Sequence, residues 1–182
     1  MKKLFLCVVL FMFTACAGAG TPGASPSDAV TTFLAHVQAG EYDEASAIIL
    51  GNDPMALADL EEEHRYLFQG LSYVNVTETV SGQRALVTLT ITSVDFADVM
   101  AQIMADAELF LSIFEDVIYT ELFDMVETMM IETITSGLAP TTSGEVTVAL
   151  EKFYGQWRII ANEDFANAVT GGWLYFVENL GL

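Results

Sequence analysis

The stretch YVNVTETVSGQRALVTLTIT, residues 73–92, decides the fold class. Its second half, Ala85 to Thr92, alternates strictly: Ala85, Val87, Leu89 and Ile91 share one face, and Thr88, Thr90 and Thr92 share the other. A period of two with β-branched residues is the signature of a strand with one buried face. The first half, Tyr73 to Val80, has the same character, and Ser81-Gly82 supplies the turn between them, so the stretch reads as a β-hairpin. A second hairpin follows late in the chain: Gly144 to Glu151, a turn near Tyr154-Gly155, then Gln156 to Ala161.

Outward from the first hairpin the period changes to that of helices. Pro26-Ser27-Asp28 is a helix start, followed by Ala29, Val30, Phe33, Leu34 and Val37 at helical spacing and ended by Ala39-Gly40. A shorter helix is expected over Glu41–Leu50, stopped by Gly51-Asn52-Asp53-Pro54, and a third from about Pro54 to Gln69. Between the hairpins, about 40 residues from Asp95 to Ser136 carry apolar positions on more than a narrow stripe, among them Leu111, Phe114, Ile118, Leu122, Met125, Met129 and Met130. That length exceeds an ordinary globular helix, so two helices or one bent helix are expected, packed on the domain's own sheet. The methionines suit flexible core filling and an adaptable groove equally well. The fold class expected is α+β: N-terminal helices packed on a curved antiparallel sheet, with a long helical segment inserted between two β-hairpins.

The N-terminus, MKKLFLCVVLFMFTAC, has Lys2 and Lys3 before an apolar run from Leu4 to Phe13 and small residues up to Cys16. About ten apolar residues fall short of the roughly 20 that span a bilayer, so the segment reads as a secretory signal. Phe13-Thr14-Ala15-Cys16 resembles the bacterial lipobox, which implies cleavage before Cys16 and a lipid on its sulfur. Ordinary signal cleavage near Ala17 or Ala19 is the plainer alternative. The chain then divides into a signal peptide (1–15), a tether (16–27) poor in large apolar residues, and one α+β domain (28–182). The expected location is extracytoplasmic, lipid-anchored to the bacterial cell membrane.

Cys7 leaves with the signal and Cys16 is consumed by the lipid, so no thiol remains for a disulfide, for nucleophilic catalysis or for zinc. Without Lys2 and Lys3 the cations are Arg65, Arg84, Lys152 and Arg158 against 25 carboxylates, 4 − 25 = −21. So acidic a chain repels phosphate backbones and anionic lipid headgroups, so nucleic acid is excluded as a partner and membrane attachment is expected through the lipid, not through basic patches. No basic residue lies between Arg84 and Lys152, whereas twelve Asp and Glu do. A solvated face is the plain reading of that stretch, and diffuse attraction of calcium or of a basic partner the sharper one.

The stretch SPSDAVTTFLAHVQAGEYDEASAII, Ser25 to Ile49, pairs a helix with Gly and then an acidic residue, an aromatic and Ala. It resembles the first helical pair of the nuclear transport factor 2-like superfamily, a cystatin-like cone, and especially its bacterial lipoprotein branches of unknown function. FYGQWRII, Phe153 to Ile160, is similar to the strand with Trp and a basic residue that closes such domains. The resemblance implies a sheet wrapped round the first helix. Its members include isomerases and cyclases as well as binding and dimerising domains, so residues must decide function.

His64 stands with Leu57, Leu60 and Leu67 on one helical face, which would turn it inward as a general base; a hydrogen-bonded core histidine explains the same spacing. His64, Tyr66 and Trp157 are the candidate pocket residues. His36 lies on a helix flank, and Glu61-Glu62-Glu63 point in different directions rather than forming a ligand set. No phosphate loop, nucleophile elbow, zinc-protease or EF-hand motif occurs, and no catalytic residue, metal or cofactor is expected. Trp157 and Trp173 read as packing residues, and Gly171 to Leu182 as a short amphipathic tail helix covering the sheet edge or cavity mouth. The leading reading is a non-catalytic, lipid-anchored envelope domain that binds a protein partner or a small apolar ligand. Its rivals are a cavity enzyme of isomerase or cyclase type, using His64 with an acidic or Tyr partner, and a dimerising module paired with a second copy of the chain.

Overall fold

A computed structural model describes residues 25–60, 62–113 and 119–175, without the side chains of 62–64, 106–113 and 119–124. Cys16, Phe114 and Ile118, the tail beyond Tyr175 and the His64 side chain therefore lie outside the described part.

Helix α1 is Pro26–Ala39. It starts at the expected signal, and its cap is the residue before: the Ser25 hydroxyl accepts the Asp28 N–H, and the Asp28 carboxylate accepts the Ser25 N–H, both at 3.1 Å. This reciprocal cap satisfies two backbone donors that a helix start leaves free. Val30, Phe33, Leu34 and Val37 form its fully buried stripe. Gly40, at φ 77°, ends it in the left-handed conformation.

The expected helix over 41–50 is shorter: α2 spans only Tyr42–Ser46. The isoleucines that follow join the sheet edge instead. Ile49 bridges Ile159 in parallel, the Ile159 N–H donates to the Ile48 carbonyl at 3.0 Å, and the Leu50 N–H donates to the Ile159 carbonyl at 2.7 Å. The Arg158 guanidinium donates to the Ala47 carbonyl at the end of α2.

The helix expected from Pro54 to Gln69 is replaced by two 3₁₀ turns, Leu57–Asp59 and Glu62–Phe68. The Asp53 carboxylate accepts the N–H groups of Met55 and Leu57 at 3.0 and 2.9 Å, and Ala56 takes a left-handed φ of 48°. An aspartate that claims these donors locally competes with the α-helical ladder.

Four antiparallel strands form one sheet in the order β1 (Ser72–Ser81), β2 (Arg84–Val94), β3 (Thr141–Phe153), β4 (Gln156–Ile160). Helices α3 (Phe96–Ile113) and α4 (Tyr119–Thr135) lie between β2 and β3 in the chain, and α5 (Glu163–Thr170) follows β4. In β2 the inner positions Ala85, Val87, Leu89 and Ile91 are buried, as the alternation requires. They meet Val146, Val148 and Leu150 of β3 and Trp157 and Ile159 of β4, with α1 and α5 above, where the Phe33 and Phe165 rings lie 5.5 Å apart. Gly171 ends α5 against β2: a Cβ there would sit 1.7 Å from the Val94 carbonyl oxygen.

Two hydrogen bonds fix the course of α1 along β1. At its start the Ser27 N–H donates to the Glu78 carboxylate at 2.9 Å, and near its end the Gln38 side-chain amide donates to the Leu71 carbonyl at 2.6 Å. The sheet thus has two distinct ends. One carries both hairpin turns, joined by the Lys152 N–H donating to the Gln83 carbonyl at 2.8 Å, together with the start of α1. The opposite end carries Leu71, the Val94–Thr141 pairing and the end of α1.

Candidate functional site

A cleft of about 520 Å³ opens at the end of the domain away from the hairpin turns. Three separate parts of the chain build its walls: Gln38 of α1; Arg65 to Leu71, from the second 3₁₀ turn up to β1; and Ile131 and Thr135 of α4. The Gln38 bond to Leu71 ties the first two walls, and the Gln69 side-chain amide, donating to the Thr135 carbonyl at 3.4 Å, spans to the third. Phe68, Leu71 and Ile131 supply the apolar part of the lining. Behind Phe68, the Tyr42 ring packs at 5.7 Å between centroids.

Arg65 is exposed at this cleft, and its aliphatic stem crosses Gly40, where a Cβ would come within 3.6 Å of Arg65 Cδ. Among the described residues it makes no ion pair; the pair recorded there is His36 Nδ1 with Glu41 Oε2 at 2.6 Å, on the surface. That no described carboxylate pairs with this guanidinium is notable in so acidic a chain. Tyr66, half-buried in the lining, has its phenol pKa raised by burial and then by the nearby Glu127 carboxylate. Tyr42 is also raised, by burial, with Arg65 opposing the shift. The Tyr42 hydroxyl is buried and has no hydrogen-bond partner among the described residues. Both phenols therefore stay protonated and can donate to an acceptor at neutral pH.

Of the three residues expected in a pocket, Tyr66 lines the cleft. Trp157 does not; it is buried on the inner face of β4, with Lys152 Nζ 5.5 Å from its ring centroid. His64 falls in the turn two residues before Tyr66, its side chain outside the described part. Gln38, Arg65, Gln69, Ile131 and Thr135 were not foreseen. Arg65 alone left a signal, as the single Lys or Arg between Lys3 and Arg84. Among the described residues no three His, Cys, Asp or Glu side chains gather as a metal site requires, and no helix is long and apolar enough to cross a membrane.

Comparison with protein-family models, with curated proteins and with solved structures found no match for this chain.

Proposed function

We propose that this protein is a lipid-anchored binding domain of the bacterial cell envelope, of nuclear transport factor 2-like build, that holds a small, mainly apolar ligand bearing one anionic group. The observation that carries the reading is Arg65, unpaired among the described residues, beside an apolar lining of Phe68, Leu71 and Ile131. Apolar surface supplies most of the affinity and a few placed polar groups fix orientation. Here Arg65 meets the acid and Tyr66 donates a hydrogen bond to it. The net charge of the domain repels free anions, so a ligand must bring enough apolar surface to offset that repulsion.

The order of helices, hairpin, helices and hairpin supports the family reading, as do the stretches Ser25–Ile49 and Phe153–Ile160. Anchoring rests on Lys2, Lys3, the apolar run and Cys16. A non-catalytic role fits a cleft lined by amides, a guanidinium and a protonated phenol, since none of these takes a proton at neutral pH. One observation favours a second reading: Tyr66 could hold an oxyanion while His64, two residues before it, acts as base in an isomerase-type reaction.

The test compares a fluorescent long-chain carboxylate with its methyl ester on the mature protein. Arg65→Gln should weaken the acid about 10- to 30-fold, the loss of one charge-assisted hydrogen bond of roughly 1.5–2 kcal/mol, and leave the ester unchanged. Equal weakening of both, or binding of neither to the parent protein, defeats the proposal. Isomerase-type turnover by the parent protein that His64→Ala abolishes, with acid binding retained, favours the enzyme over the binding role.

A further inference from the structure

The end of the domain opposite the cleft gathers features that the cleft does not use. Nine large apolar side chains are exposed among the described residues, and five of them, Val80, Leu86, Phe153, Tyr154 and Ile160, lie on or within five positions of the two hairpin turns. The most prominent is Tyr154, 93% exposed at the tip of the β3–β4 turn, its ring edge-on to Phe153 at 4.4 Å. Tyr154 and Gly155 have φ values of 48° and 84°. Positive φ at both central residues is what a type I′ turn demands, and Asn or Gly meets that demand with least strain. A tyrosine here works against backbone preference, so folding does not account for it.

Charge is distributed along the same axis. Arg84 and Lys152, two of the four cations left once the signal is gone, are exposed beside these turns. Glu151, cross-strand from Arg84, is the nearest carboxylate in the register, and Glu78 is occupied by the start of α1. The stretch 95–140 leaves and rejoins the sheet at the opposite end and holds ten Asp and Glu without a cation. An exposed aromatic pair flanked by cations, on a body otherwise acidic, is matched to the headgroup layer of an anionic bilayer: aromatic rings settle at that level, cations meet phosphate, and the acidic remainder is pushed outward.

The chain also leaves from this end. Ser27 is held at Glu78, four residues from Gly82 in the turn, so the described chain begins beside the turns. Nine steps separate Cys16 from Ser25, a reach of at most about 30 Å at roughly 3.3–3.6 Å per residue. Within that radius a weak surface contact becomes an intramolecular one and is populated at high effective concentration.

We infer that the hairpin-turn end is a membrane-docking surface, with Phe153 and Tyr154 in the interfacial layer of a phospholipid bilayer and Arg84 and Lys152 on its phosphates. The cleft then faces away from the membrane. This inference rests on the anchoring of Cys16, and its test separates the two. Tyr154→Cys, Gln83→Cys on the neighbouring turn, and Leu138→Cys, 86% exposed before β3 at the cleft end, each receive a polarity-sensitive thiol fluorophore. The labelled full chain is reconstituted in vesicles of phosphatidylglycerol and phosphatidylethanolamine. Mass spectrometry of the N-terminal peptide reads the lipid on Cys16; if it carries none, Cys7→Ser and Cys16→Ser are added so that only the chosen site is labelled, and the chain is mixed with the same vesicles. The probes at 154 and 83 should shift to the blue and lose quenching by aqueous iodide, while the probe at 138 should do neither. Equal iodide quenching at all three sites overturns the docking surface, alone if Cys16 bears lipid and together with the anchor if it does not. A shift at 154 and 83 on an unlipidated chain keeps the docking and discards the anchor.

Discussion

The hairpin-turn end and the cleft end of this domain are built by opposite rules. At the turn end two hairpins with short turns lock each other through the Lys152–Gln83 bond, and an aromatic pair, several aliphatic side chains and two cations project from it. At the cleft end the backbone is irregular: two 3₁₀ turns, a left-handed Ala56 and side-chain amides bridging separate walls. Regular pairing makes a rigid surface that is suited to contact with something flat. Irregular backbone leaves concave space, and polar side chains must then satisfy the freed carbonyls, as Gln38 does for Leu71. The two ends are joined by α1, whose first turn is fastened to Glu78 and whose last is fastened to Leu71.

The largest expected effect tests inside against outside on one hairpin of the turn end. Trp157 is buried against the core, whereas Tyr154 three residues earlier is 93% exposed. Trp157→Ala should cost about 3–5 kcal/mol, as removal of a large core aromatic does, and Tyr154→Ala should move stability by no more than about 0.5 kcal/mol. Denaturant melts of the two variants measure this. Similar losses for both would mean that Tyr154 is a folding residue, and would remove the contrast on which the membrane-facing reading depends.

These two residues also show where sequence reading succeeds. Along β4 the inner and outer positions alternate, so spacing alone puts Trp157 and Ile159 on one face and Arg158 on the other. The same logic placed Ala85 to Ile91, because a one-residue slip would turn the whole apolar set out of the core. It failed over 54–69, where apolar spacing suits a helix but the Asp53 side chain takes the donors that a helix would use. It also failed at Ile48-Ile49, whose fate depends on a strand edge more than 100 residues away. The cleft was mostly illegible for a related reason: Gln69 and Thr135 are 66 residues apart, and nothing local to either marks the meeting. The sequence reading names Tyr66 and passes over Arg65, its neighbour in the chain and a lone cation in an acidic stretch.

A smaller effect probes how firmly the turn end holds the start of α1. Ser25→Ala removes the hydroxyl that accepts the Asp28 N–H and should cost about 1 kcal/mol. Amide exchange should rise over the first turn of α1 and leave its Gly40 end protected, since the two ends are fastened separately. Exchange that rises along the whole helix would show α1 to be one cooperative unit, with no independent attachment at each end.

The smallest effect at neutral pH belongs to the cleft, and it grows only in alkali. The Tyr66 phenol pKa is raised by burial and by Glu127, so the folded state holds this proton more tightly than the unfolded chain does. Below the ordinary phenol pKa of about 10 both states are protonated and the group makes no difference to the pH profile. As pH rises past that value the unfolded chain ionises first, and stability is lost progressively until the folded phenol also ionises. Tyr66→Phe removes that penalty. Its melting temperature should match the parent's within about 0.5 kcal/mol of stability at pH 7 and fall less steeply above pH 10. Parallel profiles for Tyr66→Phe and the parent would show that Tyr66 is well solvated, and that the cleft lacks the water-excluding wall that ligand binding there requires.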